Sequence, residues 1–306
     1  MNRKKILIIG GTGYIGGSLY SYLKQFRYEV DTLDLEWFGN KVNPKNILMD
    51  YTCLSHEEVS EYSHIILLAG HSSVPSCNGN FIWAYRNNVS NFVELLAKIN
   101  PNQTFIFASS SSVYGNLKEG RPYTEDCISC KPLNTYDLTK SFCDYAASLA
   151  GKRYFALRFG TLAGLNISNT RADIMINAMV KNGIEKKNIE IFNKDIKRPM
   201  LGIADLNRAF LRIIEDESAP SGVYNLASFN STVDKISQEV SKLLNVPILD
   251  KGVTPILPYD FEIDCSKFKE TFDFEFKEDI ITIVKPLVEN FKDIEWTTRN
   301  EAICYE

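Results

Sequence analysis

Tyr136 and Lys140 stand four residues apart in the run Tyr136-Asp137-Leu138-Thr139-Lys140, a spacing that puts both on one face of a helix. A lysine ammonium beside a phenol lowers the phenol's pKa. That help matters, because an unperturbed tyrosine with a pKa near 10 is ionised at only about one part in a thousand at pH 7. So tuned, Tyr136 serves as general base towards a substrate hydroxyl or as acid towards a ketone. Upstream, the apolar run Phe105-Ile106-Phe107-Ala108 ends in Ser109-Ser110-Ser111-Ser112-Val113-Tyr114-Gly115. Ser110 there offers a hydroxyl to the same substrate oxygen at the carboxyl edge of a strand, where ligands bind in open α/β sheets. A Tyr-x-x-x-Lys pair alone recurs by chance as a solvated surface pair, so the weight rests on what precedes it.

What precedes it is a glycine-rich turn, Gly10 to Gly17, directly after the apolar run Ile6-Leu7-Ile8-Ile9. Gly10 permits the tight turn, Gly13 lets a pyrophosphate approach the backbone, and Gly16 allows close packing of the following helix, whose N-terminal N–H groups face the phosphates. The next apolar segment ends on Asp34, near the spacing at which a carboxylate bonds a ribose 2′-hydroxyl. Such an acid repels a 2′-phosphate, and Leu35, Glu36 and Trp37 after it include no arginine to neutralise one. The cofactor these residues specify is NAD. A strand-capping surface aspartate is the bland alternative for Asp34.

These groups need a sheet to position them. Apolar runs at 5–9, 29–34, 46–49, 64–69, 104–109 and 154–159 predict strands, several continuous enough to be buried on both faces. Helical spacing at 17–26, 82–99 and 139–150 supplies the crossovers, so the expected fold class is α/β with a doubly wound parallel sheet. After residue 160 the rhythm loosens, with helices predicted at 174–181, 204–214, 233–244 and 279–291 and strands at 189–192 and 222–226. The expected organisation is a cofactor domain over 1–160 and a smaller substrate lobe over 161–306, with 222–226 returning to the main sheet.

With 306 residues, 44% of them apolar, the chain can fill a large core. A net charge of −4 with both signs interspersed predicts neither a nucleic-acid nor a membrane partner. Four apolar residues before the first glycine are too few for a signal-peptide core, so the expected compartment is the cytoplasm. Seven scattered cysteines fit reduced thiols. Cys127 and Cys130 have metal spacing but no second pair or nearby histidine, so no metal is expected. Of three histidines only His71 falls near the site, as a pocket-wall or supporting residue.

Taken in order, these motifs resemble the extended short-chain dehydrogenase/reductases with a Rossmann-type fold, specifically the NAD-dependent sugar-nucleotide epimerase/dehydratase family, over nearly the whole chain. The resemblance implies that Asp50 contacts adenine, that Leu68-Ala69-Gly70 and Asn88 border the cofactor, and that Tyr14, Ile15, Tyr51 and Phe159 join Gly10, Gly13, Gly16, Asp34, Tyr136 and Lys140 around it. It implies that Ser72, Ser73, Ser111, Thr161 and Asn177 face the sugar. Arg198, in a segment resembling Arg-x-Phe-Val-His-Val-x-Asp, would meet the substrate diphosphate, although Gly202 stands where the histidine is usual. Arg171 and Asp173 either contact substrate or solvate the lobe surface. Gly160, in place of a bulky residue, implies a wider hole beside the sugar ring.

Dehydratases of this family place acids just after the catalytic hydroxyl, whereas this chain has Ser111-Ser112 and resembles the UDP-glucose and UDP-glucuronate 4-epimerases. The expected substrate is a nucleotide-diphosphate sugar, oxidised at C4 and reduced again on one bound NAD. A one-way 4-dehydrogenase or ketoreductase, a 4,6-dehydratase and a non-catalytic NAD sensor stay as alternatives. The resemblance also implies a homodimer through helices 82–99 and 137–150. Ile82, Tyr85, Val89, Phe92 and Leu96, or Phe142, Tyr145, Ala146 and Leu149, would cover the sheet, leaving Trp83, Ala147 and Ala150 for a second subunit.

Overall fold

Continuous apolar runs become the middle of one sheet because both of their faces can be covered. The computed structural model describes residues 4–116, 120–127, 132–255 and 259–298. Strands β1 (Lys5–Ile9), β2 (Glu29–Asp34), β3 (Ile47–Leu48), β4 (His64–Leu67), β5 (Thr104–Ser110) and β6 (Arg153–Phe159) come first, and β7 (Thr161–Ala163), β8 (Thr170–Arg171), β9 (Ile189–Ile191) and β10 (Lys197–Gly202) follow. Then come β11 (Gly222–Leu226), β12 (Phe229–Thr232), β13 (Ile248–Asp250) and β14 (Trp296–Thr297). The main sheet has seven strands in the order β11-β6-β5-β4-β1-β2-β3, all parallel.

Alternation along each central strand feeds two cores. Ile6, Ile8, Ile106, Phe155 and Leu157 pack on one face beneath helices Tyr14–Leu23 and Ile203–Glu215. Leu7, Ile9, Phe105, Phe107 and Ala156 pack on the other beneath helices Asn91–Lys98 and Thr135–Leu149. Strand order reverses at β1, which lies between β4 and β2, so the crevice beyond its carboxyl end is the ligand position of this topology. A second lobe packs helices Met175–Lys186, Val233–Leu244 and Ile280–Glu289 over its own apolar cluster. A three-stranded sheet has the order β12-β10-β7, with β10 antiparallel to β12 and parallel to β7.

Several predicted boundaries move. The first helix begins at Tyr14 rather than at 17, because the glycine turn is itself the start of the helix. The helix predicted over 82–99 is helix Phe81–Tyr85, a π turn over Arg86–Ser90 and helix Asn91–Lys98. The wider turn carries Asn87 and Asn88, whose amides reach His71, and an inserted residue of this kind often marks a site. The two-residue and antiparallel strands of the lobe carry too few residues for a periodicity to register.

The helix faces also differ from expectation. Val89, Phe92 and Leu96 cover the sheet, but Ile82 is 74% exposed and Tyr85 42%, alongside Phe81, Leu138, Phe142, Tyr145 and Leu149, the last 86% exposed. Ala147, expected outside, is fully buried. Among the described residues no helix is long and apolar enough to cross a membrane, and no His, Cys, Asp and Glu group could hold a metal ion. Cys127 is half-buried and in no disulfide, while Cys130 lies outside the described residues.

His64 opens β4 with 6% exposure, and burial, aided by Lys4 and Arg153, pulls its pKa from 6.5 to about 4. The folded state therefore binds this proton later than the unfolded chain does. Stability is complete above pH 6.5 and falls as pH drops towards 4, at ~1.4 kcal/mol per pKa unit. In urea unfolding at pH 7 and pH 4.5, the native protein should lose roughly 2–3 kcal/mol more than His64→Gln, which has no imidazole to charge.

Candidate active site

The end of β1 turns through Gly10, whose φ is +88°, and the N–H of Gly10 donates to Leu33 O on β2 at 2.8 Å. A Cβ at Gly10 would lie 2.6 Å from Ala69 N, and one at Gly16 would lie 2.0 Å from Gly10 O, so the loop is folded backbone on backbone. At Gly13 the nearest atom is 3.3 Å away, and the helix it caps has no side-chain cap, which leaves the first N–H groups to a ligand. Gly11, unremarked in the sequence, presses on Thr32, where a Cβ would come within 2.4 Å.

A cleft beside this loop is lined by Gly10, Gly13, Asp34, Asp50, Tyr51, Leu68, Ala69 and Gly70. Asp34 is held by its own backbone surroundings: its Oδ2 accepts from Thr12 N at 3.0 Å and its Oδ1 from Glu36 N at 2.9 Å. Each oxygen keeps a lone pair for a diol. Asp50 caps the short turn Tyr51–Cys53 by accepting from Thr52 N. Trp37, Phe38 and Met49 complete the apolar wall.

The adjoining cavity, of about 460 Å³, brings together Ile15, Ser72, Ser73, Ser110, Ser111, Tyr136, Lys140, Phe159, Thr161, Arg171 and Arg198. The Lys140 ammonium donates to Ala108 O on β5 at 2.7 Å and lies 5.8 Å from the Tyr136 ring centre. Ser110 and Ser112 hydroxyls are 2.8 Å apart. Arg198 donates to Thr161 Oγ1 at 2.8 Å and stands over the Tyr259 ring at 5.9 Å, while its buried Nε has no partner among the described residues. Burial pulls its pKa down, the signature of a cation lacking an anion.

Other expected residues sit elsewhere. Asn88 and Asn177 do not line either cavity. Asn88 accepts from His71 N and donates to Thr139 Oγ1, pinning the loop to the catalytic helix. Asn177 accepts from Gly164 N and donates to Tyr14 OH, and Tyr14 in turn donates to Gly164 O, so all three bind lobe to sheet. His71 is buried behind Trp37 and lines neither cavity. Arg171 is 13% exposed and chelated by Asp173 at 2.6 and 3.0 Å, which excludes the surface alternative but leaves its charge neutralised.

Gly160, expected to open space, does not, and Gly202, which stands where the histidine is usual, is also filled. A Cβ at Gly160 would lie 2.9 Å from Pro199 O, so β10 takes the volume. At Gly202 it would lie 2.0 Å from Glu278 Oε2. That carboxylate accepts from Asp205 N at 2.8 Å and caps helix Ile203–Glu215, which has no side-chain cap of its own. Burial pushes Glu278 up to about 7. Sequence reasoning also passed over Asp137 and Tyr259; the first hides inside the Tyr-x-x-x-Lys run, and the second comes from a stretch without periodicity.

Residues 6–227 match the model of the NAD dependent epimerase/dehydratase family. The chain belongs to that family. Its members are enzymes whose cofactor is NAD. A UDP-glucose 4-epimerase of Lactobacillus helveticus is 30% identical over 177 residues, a match spanning 52% of this chain and 52% of that protein, about half its length. A probable dTDP-glucose 4,6-dehydratase of Sinorhizobium fredii is 24% identical over 95% of this chain and 94% of that one. The solved UDP-glucuronic acid 4-epimerase from Bacillus cereus, in complex with UDP-glucuronic acid and NAD, superposes with a TM-score of 0.81 at 19% identity, covering 94% of this chain and 99% of that chain.

The family's cofactor fits the residues present. The bare backbone at Gly13, where a Cβ would already lie 3.3 Å from Gly10 O, the uncapped helix start and the Asp34 carboxylate match a pyrophosphate and a ribose diol. Replacing Asp34 by alanine removes both the diol acceptor and the charge that repels a 2′-phosphate. Titration should show wild type binding NAD more tightly than NADP and Asp34→Ala narrowing that gap; equal binding of both cofactors by wild type would overturn the assignment.

Proposed function

We propose that this family member is a C4 epimerase of a nucleotide-diphosphate sugar. The observation that carries the reading is the composition of the larger cavity: Ser110, Tyr136 and Lys140 share it with an unneutralised Arg198. The carboxylate of Asp173 is the only one among the described residues lining it, and Arg171 already chelates it. Elimination of water from a sugar needs a free acid or base beside the ring. The lack of one on the described wall favours epimerisation over dehydration.

Bound NAD supplies the place to which a hydride goes and from which it returns. The chain's residues do the rest. Tyr136 takes the proton of the reacting hydroxyl and gives it back, acting as base and then as acid. The bond from Lys140 to Ala108 O holds the lysine head group beside the phenol. Ser110 contacts the same oxygen. Arg198 holds the diphosphate through charge-assisted bonds, and its unpartnered Nε supports that role.

A homodimer belongs to the same reading. Phe81, Ile82, Tyr85, Phe142, Tyr145 and Leu149 are large apolar side chains left exposed on helices that flank the sheet, the kind of surface that a second subunit covers. Sedimentation should give a dimer for the native chain and a monomer for a Tyr145→Glu, Leu149→Glu double variant; a native monomer would refute it.

Incubation with UDP-, GDP-, CDP- and dTDP-sugars should yield the C4 epimer of one of them with no net change in nicotinamide absorbance. Tyr136→Phe should lower that turnover by roughly 10²-fold or more while retaining NAD. Net consumption of cofactor would point to a one-way oxidoreductase, and near-normal turnover by the Phe variant would remove Tyr136 from the mechanism.

A further inference from the structure

The cofactor cleft and the larger cavity share Gly13, Leu68, Ala69, Gly70 and Ser72, so the path for a dinucleotide runs from one into the other along the edge of the sheet. The second lobe borders that path. Asn169 lines the cleft, and Arg171, two residues further on, lines the cavity.

Residues 166–169 form a turn whose side-chain amides reach back to the glycine loop. Asn166 Nδ2 donates to Tyr14 O at 2.8 Å, and Asn169 Nδ2 donates to Thr12 O at 3.3 Å. Asn169 N donates to Asn166 O at 3.0 Å, so a single turn sets both amides. Asn169 is 1% exposed, and its Oδ1 accepts from the Thr297 hydroxyl at 2.8 Å. Thr297 belongs to β14, which pairs in parallel with β8: Thr170 N donates to Glu295 O at 2.9 Å and Ala172 N to Thr297 O at 2.7 Å.

The same segment has a second hold, on the wall that follows Asp34. Glu295, the residue before β14, is ion-paired with Lys41. Lys41 lies in the stretch after β2 whose Trp37 and Phe38 line the cleft, and Asn40 binds that stretch together by donating to Glu36 Oε1 at 2.7 Å and to Asn43 O at 2.8 Å. Between Glu295 and Thr297, Trp296 packs against the apolar cluster of the second lobe. Three consecutive residues thus fasten the lobe to both sides of the cofactor cleft.

We propose that Asn169 and Thr297 are positioning residues of a clasp that shuts the second lobe along the cofactor, and that NAD enters and leaves when their bond opens. The inference goes beyond the epimerase reading and holds whichever sugar reacts. In an enzyme that returns its hydride the clasp has a plain use: the cofactor cannot exchange between the two transfers. Passage through a clasp scales with the fraction of time it is open, inward and outward alike. A larger open fraction therefore multiplies entry and exit together and cancels from their ratio.

Stopped-flow fluorescence of the full chain, freed of cofactor, measures NADH binding and, after loading, NADH release into excess NAD. Thr297→Val keeps the shape of the side chain and removes its hydroxyl. It should raise the association and dissociation rate constants together by about fivefold, the scale of one neutral hydrogen bond, with their ratio within about twofold of wild type. Thr297→Ser should restore both rates. Glu295→Gln, at an exposed contact, should raise both by about twofold. A site merely weakened by lost packing would release NADH faster without admitting it faster. Any result for Thr297→Val in which the two rates fail to rise together overturns the inference, and if that variant does not fold, Glu295→Gln decides by the same two rates.

Discussion

The bond from the Lys140 ammonium to the Ala108 carbonyl ties a helix to the open edge of the sheet, and the site's geometry follows from it. Ala108 lies two residues before Ser110 on β5, and Tyr136 lies one turn before Lys140 on helix Thr135–Leu149. A single 2.7 Å contact thus fixes serine, phenol and ammonium relative to one another. One turn further along the helix, Asp144 is paired with Arg158 of β6 at 2.9 Å and is itself buried. Two charged contacts, one to each of two adjacent strands, keep the helix from rolling.

Much of this was legible from residue types. The runs of β1, β4 and β5 are apolar on both faces and those of β2 and β6 carry apolar residues at strand spacing, so all five announce themselves within a residue or two, and the glycines of the first turn mark where a side chain cannot fit. Chemistry confined to a short motif was equally readable. Side chains whose use depends on partners far along the chain were not. Nothing near Asn88 or Asn177 tells that each amide is committed to a loop, and nothing near Asp137 reveals the hydroxyl of Tyr259, over a hundred residues away. Amphipathic spacing identified the outer helices but misjudged Ala147, because two helices with apolar residues on several sides do not declare which side meets the sheet.

Departures from the family pattern at Gly160 and Gly202 have a common explanation. Each missing side chain is matched by something that moved in: the Pro199 carbonyl in one case and Glu278 in the other. A glycine in a packed interior therefore marks a tenant from elsewhere in the chain at least as often as a void, which is what close packing requires.

Strand β11 reaches β6 from the far side of sixty-two intervening residues and pairs with it from Gly222 to Leu226. During synthesis the ribosome delivers β6 long before its neighbour. Until residues 222–226 emerge, β6 is an open edge with unpaired backbone groups, the kind of surface on which nascent chains associate wrongly. What emerges in between includes β10 and helix Ile203–Glu215. That helix lays Leu206, Ala209, Phe210 and Ile213 into the same apolar cluster as Phe155 and Leu157, so it can shelter one face of the waiting strand before the edge closes. The order in which the chain is made and the order in which its layers close are then compatible.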